Sequence, residues 1–108
     1  MVDARNAARI RFDNVHVASE AVLGQRDQGA PALEQVLDIG RAVIAAELVG
    51  IADEALSRTL GYLKERRQFN LLIGEFQALQ HRAAHLYSEI EITRAAVLRA
   101  LQVLDETP

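Results

Sequence analysis

The chain has 108 residues, of which half are hydrophobic and only 5% aromatic, with a formal net charge of −3. This length allows one domain at most, and the acidic balance gives no support for nucleic-acid binding, which usually requires a basic surface. Cysteine is absent, which excludes disulfides, thiol catalysis and cysteine metal sites. No apolar run approaches the roughly 20 residues of a membrane span, and the polar start MVDARNAAR does not resemble a signal peptide, so a cytoplasmic location is expected.

Residues 1–30 are predicted to form a short extended segment followed by a loop. The apolar residues of ARIRFDNVHV (residues 8–17) are spaced as on one face of an extended strand. The stretch ASEAVLGQRDQGAP that follows contains two glycines and a proline, a composition typical of loops. Because Pro31 suits the first turn of a helix, a helical domain is predicted over residues 31–108.

The first long helix is predicted over residues 32–67, where nothing interrupts the helical pattern strongly. Its apolar stripe consists of Leu33, Leu37, Ile44, Leu48, Leu56, Leu60 and Leu63, with Val36, Ile39 and Val43 beside it. Small residues between these would let a neighbouring helix approach closely. Three glycines each cost roughly 1 kcal/mol relative to alanine, so this helix requires packing partners to persist.

The second long helix is predicted over residues 71–105, after a short reversal near residues 68–72. Its apolar positions alternate steps of four and three, as in a heptad seam. The seam consists of Leu72, Phe76, Leu79, Ala83, Leu86, Ile90, Thr93, Val97, Ala100 and Leu104. The expected fold is mainly α, a long antiparallel hairpin. In a hairpin, each helix covers only one apolar face of the other. We therefore predict that oligomerisation covers the remaining apolar faces.

Three stretches together resemble the C-terminal half of the acyl-CoA dehydrogenase family. They are FDNVHVASEAVLG, GRAVIAAELVGIADEAL and ERRQFNLLIGEFQALQHRAA, in this order, and the resemblance covers about residues 9–105. It implies the end of the family's middle β domain followed by half of the C-terminal helical bundle. It also implies a homodimer or homotetramer and, in the complete enzyme, FAD as cofactor, an acyl-CoA substrate and electron-transfer flavoprotein as partner.

The resemblance assigns the junction between the helices to the flavin. In family members this junction reaches the FAD held by the neighbouring subunit. Arg66 matches the arginine that contacts the cofactor's phosphate region, Gln68 matches a second polar contact, and Phe76 and Gln77 match the pair that follows. A guanidinium suits this role because it makes charge-assisted hydrogen bonds to phosphate oxygens. Arg67 is expected to be only a solvated helix end.

The resemblance also places two residues of the first helix beside the substrate. Asp38 and Arg41 match positions that line the acyl-CoA site, although a pair three residues apart could equally be a surface ion pair. Gly40 stands where some subfamilies place the catalytic glutamate, and most others carry it beyond these two helices. No catalytic residue is therefore assigned to this chain.

The polar residues of the second helix allow a further interpretation. His81, His85 and Glu89 recur every four residues, a spacing that can hold zinc, but the resemblance requires no metal and a polar interhelical face explains them as well. No metal site is predicted.

The expected function is that of a part of a flavin-dependent acyl-CoA dehydrogenase, inactive as an isolated fragment. The alternative is a non-catalytic helical oligomerisation module.

Overall fold

The computed structural model describes residues 8–106, which form two long antiparallel helices joined by a short extended junction. The elements are helix α1 (Gly29–Glu65), strand β1 (Arg67–Gln68), strand β2 (Leu71–Leu72) and helix α2 (Gln77–Glu106), with 3₁₀ helices at Ser19–Ala21 and Ile73–Glu75. The predicted mainly α hairpin is confirmed. Within the described residues, no helix is long and apolar enough to cross a membrane.

Helix α1 begins and ends slightly earlier than the sequence pattern indicated. It starts at Gly29, so Pro31 lies in its first turn, where the missing N–H costs nothing. It ends at Glu65, because Arg66 adopts an extended backbone with φ −72° and ψ 127°. The Arg66 N–H still donates to the Tyr62 carbonyl at 2.9 Å, which completes the last turn.

Helix α2 begins at Gln77 rather than at residue 71. Arg67 pairs with Leu72 and Gln68 with Leu71 in a two-stranded antiparallel ladder, and a 3₁₀ turn then leads into the helix. The four-residue spacing from Leu72 to Phe76 suggested helix, but these two positions lie in the junction instead. An apolar spacing of four does not distinguish a helix from a hairpin followed by a turn.

The contact between the helices combines small and larger residues of α1, and its half-buried small residues are Gly40, Ala45, Ala46, Ala52 and Gly61. Ala42, Val49 and Leu56, seven residues apart, are the buried residues of the described chain, each 7% exposed. Helix α2 meets them with the half-buried residues Leu79, Ala83, Ile90, Arg94, Val97, Leu101 and Leu104. The predicted seam therefore holds at five positions of α2, whereas Leu86 is 50% exposed. Thr93 and Ala100 line grooves beside the contact, and Arg94 and Leu101 are half-buried.

Most of the predicted apolar stripe of α1 does not face α2. Only Leu56, Leu60 and Leu63 of that stripe are buried or half-buried. Its exposed members are Leu33, Leu37, Ile44 and Leu48, with Val36, Ile39 and Val43 beside them. Alanines on the inner side let the helices approach closely, so the larger side chains lie along the flanks of the contact.

The chain exposes far more surface than a folded protein of its size. Its accessible surface is 9835 Å², and its extents are 74 × 34 × 15 Å. A compact monomer of this mass exposes about 6,000 Å², so the excess is about 3,900 Å². Part of the excess comes from residues 8–28, all of which are exposed. A further part comes from large apolar side chains that the two helices leave exposed.

One interhelical ion pair lies at the edge of the helix contact. The Arg94 Nη2 atom lies 3.1 Å from Asp53 Oδ1 on α1, while Arg94 Nε donates to Glu91 Oε1 at 3.3 Å. The hydrogen bond to Glu91 first, and then that to Asp53, raise the pKa of the Arg94 guanidinium. The pair joins the two helices directly, with the Arg94 side chain 39% and the Asp53 side chain 56% exposed.

Candidate functional site

The junction between α1 and α2 is a compact β-hairpin rather than a plain helix–helix turn. Phe69 and Asn70 form its two-residue loop, and both have positive φ, 54° and 65°. This combination is that of a type I′ turn, in which asparagine is favoured and phenylalanine is unusual. The Ile73 N–H donates to the Arg66 carbonyl at 2.8 Å, and the rings of Phe69 and Phe76 meet edge to face at 6.4 Å.

The extended backbone of the junction separates the two arginines. Successive side chains of an extended segment point to opposite sides, so Arg66 and Gln68 share one face while Arg67 lies on the other. All three side chains are exposed, and among residues 8–106 no carboxylate forms an ion pair with either arginine. Arg67, expected from the sequence to be a solvated helix end, lies instead in strand β1.

The remaining residues of the predicted cofactor set differ in their surroundings. Gln68 Nε2 donates to the carbonyl of Arg67 at 2.8 Å, which leaves its amide oxygen available. Phe76 is half-buried against Phe69, so it stabilises the loop, and Gln77 is the exposed first residue of α2.

Two residues that the sequence reasoning missed hold the junction in place. Gly74 lies so close to the end of α1 that a Cβ atom there would be 2.8 Å from the carbonyl oxygen of Leu63. Gln80, in the first turn of α2, donates from Nε2 to the Gly74 carbonyl at 2.9 Å. Gly74 is a glycine inside an otherwise unbroken apolar pattern, and this was a signal of its close contact with Leu63. No signal in the sequence pointed to the second.

Asp38 and Arg41 lie together on α1 in a shallow groove against α2. Arg41 Nη1 donates to Asp38 Oδ1 at 2.6 Å and to Glu34 Oε2 at 3.3 Å. The hydrogen bond to Asp38 first, then that to Glu34, raise the pKa of the Arg41 guanidinium above its usual value. Arg99 of α2 lines the same groove. The surface ion pair allowed by the sequence is thus present.

The structure keeps the two sets of predicted site residues apart. Arg41 and Arg66 are separated by about 37 Å along α1, at 1.5 Å per residue. The junction and the Asp38–Arg41 pair therefore do not form one pocket within this chain. If both contribute to a single active centre, other polypeptide segments must lie between them.

A second, apolar groove runs between the helices nearer the junction. Its walls are Ala45, Leu48, Val49, Ala52, Ala55, Leu56 and Thr59 of α1 and Leu86, Glu89, Ile90 and Thr93 of α2. The hydroxyls of Thr59 and Thr93 donate to the carbonyls of Ala55 and Glu89, both at 2.7 Å, so they add no unpaired donor. The two grooves share Ala45 and adjoin along one side of the hairpin.

The histidines of α2 do not form a cluster with other metal-binding side chains. His85 Nε2 lies 3.7 Å from Glu89 Oε1, as an exposed pair one turn apart. Within residues 8–106, no three His, Cys, Asp or Glu side chains are grouped as metal ligands would be.

The described residues form a long helical hairpin with exposed outer faces and a polar β-hairpin at its tip. The family model for the acyl-CoA dehydrogenase C-terminal domain matches residues 27–108, and the chain belongs to the acyl-CoA dehydrogenase family. This confirms the resemblance noted in the sequence.

Similar proteins come from bacteria and animals. The chain is 40% identical over 104 residues to the probable acyl-CoA dehydrogenase YngJ of Bacillus subtilis, covering 96% of this chain and 27% of that protein. It is 34% identical over 104 residues to the bovine mitochondrial short/branched chain specific acyl-CoA dehydrogenase, covering 96% and 24%. It is 32% identical to the caffeyl-CoA reductase-Etf complex subunit CarC of Acetobacterium woodii, covering 89% and 25%. The chain thus spans about a quarter of these relatives, and no solved structure matches it significantly.

Proposed function

We propose that this chain is the segment of a flavin-dependent acyl-CoA dehydrogenase that supplies subunit interface and part of the FAD and acyl-CoA sites. The reaction implied by the family is α,β-dehydrogenation of an acyl-CoA thioester. When bound, FAD accepts the hydride from the β carbon. The residues of this chain would bind and orient the FAD and the acyl-CoA, and none of them would remove the α proton.

The observation that carries the proposal is the arrangement of the junction. Arg66 and Gln68 share an exposed face of the hairpin, with no carboxylate of the described chain paired to the guanidinium. Charge-assisted hydrogen bonds from Arg66 to phosphate oxygens, and a carbonyl acceptor from Gln68, suit the polar part of a dinucleotide. Phe76 supports the loop, and Gln77 adds a second amide at the start of α2.

The substrate side of the proposal rests on the other end of α1. Asp38 and Arg41 would line the acyl-CoA site, with Asp38 and Glu34 holding the Arg41 guanidinium in one orientation. Gly40 beside them has no side chain that could accept a proton. The catalytic carboxylate would therefore come from polypeptide outside this segment.

The partners and location proposed for the complete enzyme follow the family. A homodimer or homotetramer would place the junction against the FAD of a neighbouring subunit. Electron-transfer flavoprotein is the proposed electron acceptor; the name of the Acetobacterium relative places that protein in an Etf complex. A cytoplasmic location stays a prediction.

A second candidate function is a helical oligomerisation module without catalysis. The excess exposed surface favours it, because large apolar patches are rare on soluble monomers. The two functions differ in one property: only the first requires Arg66 and Gln68 to contact a flavin.

The proposed function predicts that the 108-residue chain alone has no dehydrogenase activity. A chimera of the Bacillus relative, in which the aligned 104 residues are replaced by those of this chain, should bind flavin and oxidise acyl-CoA. The assay is acyl-CoA oxidation with an artificial electron acceptor, run on both proteins. Turnover by the chain alone that survived repurification would show that a base within it had been overlooked. A chimera that folds without retaining flavin would favour the oligomerisation module.

A further inference from the structure

We infer that Gln80 is a positioning residue for cofactor binding, which holds the junction so that Arg66 is directed at the flavin. This role depends on the function proposed above, because it requires the junction to contact FAD. Gln80 lies in the first turn of α2 and is exposed, so its side chain does not serve to fill a core. Its hydrogen bond connects it to the segment that carries Arg66.

The Gln80 amide ties helix α2 to the turn that precedes it. Gln80 Nε2 donates at 2.9 Å to the carbonyl of Gly74, which lies in the 3₁₀ turn Ile73–Glu75. The backbone of Gln80 is itself fixed, since its N–H donates to the Phe76 carbonyl at 3.1 Å. The side chain therefore extends from a helical backbone onto a segment outside the helix.

The segment that Gln80 holds is bonded directly to Arg66. Ile73 directly precedes Gly74, and its N–H donates to the Arg66 carbonyl at 2.8 Å. The Arg66 N–H donates in turn to the Tyr62 carbonyl in the last turn of α1, at 2.9 Å. Both backbone polar groups of Arg66 are thus bonded, one to α1 and the other to the segment that Gln80 holds.

The direction of the Gln80 hydrogen bond argues against a simple helix cap. The free backbone groups at the start of a helix are N–H donors, which need an acceptor. Gln80 offers a donor to the Gly74 carbonyl, so its bond satisfies the turn and not the helix. Glu75 has the opposite role, because its Oε1 atom accepts from the Leu72 N–H at 3.3 Å.

Arg66 needs this support because its side chain is exposed. Among residues 8–106 no carboxylate forms an ion pair with its guanidinium, so the direction of the side chain depends on the backbone that carries it. A backbone already held in one arrangement loses less conformational entropy when a ligand binds. Loss of the Gln80 bond would therefore reduce flavin affinity without removing any group that contacts the flavin.

Gln80→Met removes the donor while keeping the length and helix propensity of the side chain. In the chimera with the Bacillus relative, it should weaken flavin binding about two- to tenfold, the usual loss for one neutral hydrogen bond. Gln102→Met is the matched control, because Gln102 is an exposed glutamine about 33 Å further along the same helix. Flavin release is followed by fluorescence, and far-UV circular dichroism should show unchanged helix content in both variants.

Amide exchange in the 108-residue chain gives a readout that does not involve flavin. Gln80→Met should speed hydrogen exchange of the Ile73 N–H about two- to tenfold, because the junction opens more often once the Gln80 bond is lost. Gln102→Met should leave exchange at Ile73 unchanged. Equal exchange rates in Gln80→Met and the wild-type chain would overturn the inference.

Combining Gln80→Met with Arg66→Ala separates positioning from general support. If Gln80 acts through Arg66, its substitution should cost little further flavin affinity once the guanidinium is gone. An equal loss with and without the guanidinium would overturn the inference, and so would unchanged affinity of Gln80→Met when Arg66 is intact. If Arg66→Ala itself cost no affinity, the proposed cofactor contact would be wrong, and the positioning role would be wrong with it.

Discussion

In the chimera with the Bacillus relative, Arg66→Ala is expected to weaken flavin binding by about ten- to a hundredfold, whereas Arg67→Ala should leave it nearly unchanged. A hydrogen bond between a guanidinium and a phosphate oxygen is worth roughly 1.5–3 kcal/mol, which corresponds to that range of affinity. The two arginines are adjacent and equally charged, but the extended backbone of the junction directs them to opposite faces. The measurement is flavin release followed by fluorescence, compared with the unmutated chimera.

Ionic strength separates a specific contact from a general effect of charge. A change of net charge alone would affect both variants alike and would fade as salt screens it. A direct contact with phosphate would affect Arg66→Ala more than Arg67→Ala at both low and high salt. Equal losses in the two variants would mean that the pair is only a solvated turn, and the cofactor role of Arg66 would be wrong.

Gly74→Ala destabilises the chain by about 1–3 kcal/mol, the usual effect of overpacking a fitted contact. A Cβ atom at this position would lie 2.8 Å from the Leu63 carbonyl oxygen, and backbone cannot rotate away as a flexible side chain can. The junction would have to move off the end of α1, which would also strain the Gln80 hydrogen bond. The measurement is chemical unfolding followed by circular dichroism, with both variants at the same protein concentration because any self-association would add to apparent stability.

Gly50→Ala is the matched control for the glycine substitution. Nothing lies within 4 Å of a Cβ built at Gly50, which is in the middle of α1. Alanine should therefore stabilise the helix by about 0.5–1 kcal/mol, with a sign opposite to that of Gly74→Ala. If Gly74→Ala were also stabilising, the junction would not pack against Leu63 as the structure has it.

Local sequence pattern was sufficient to predict the helical elements and the family. Helix formation depends on contacts three and four residues apart, so the periodicity between residues 32 and 105 indicated two long helices that the structure confirms. The family resemblance depended on motifs in a set order, and it too is confirmed. It also drew attention to the polar junction, although the roles of Arg66, Gln68, Phe76 and Gln77 stay predictions.

Only the tertiary structure decided the conformation of the junction and the inner face of each helix. Pairing of Arg67 with Leu72 requires a turn with two positive φ angles, a choice that apolar spacing does not encode. Thr93 lines the groove on one side of the helix contact, while Arg94 reaches Asp53 of α1 on the other side, at 3.1 Å. Likewise, the closeness of Gly74 to Leu63 depends on where the end of α1 lies. Each of these contacts joins residues from different elements, and a period within one helix carries no information about the neighbour it meets.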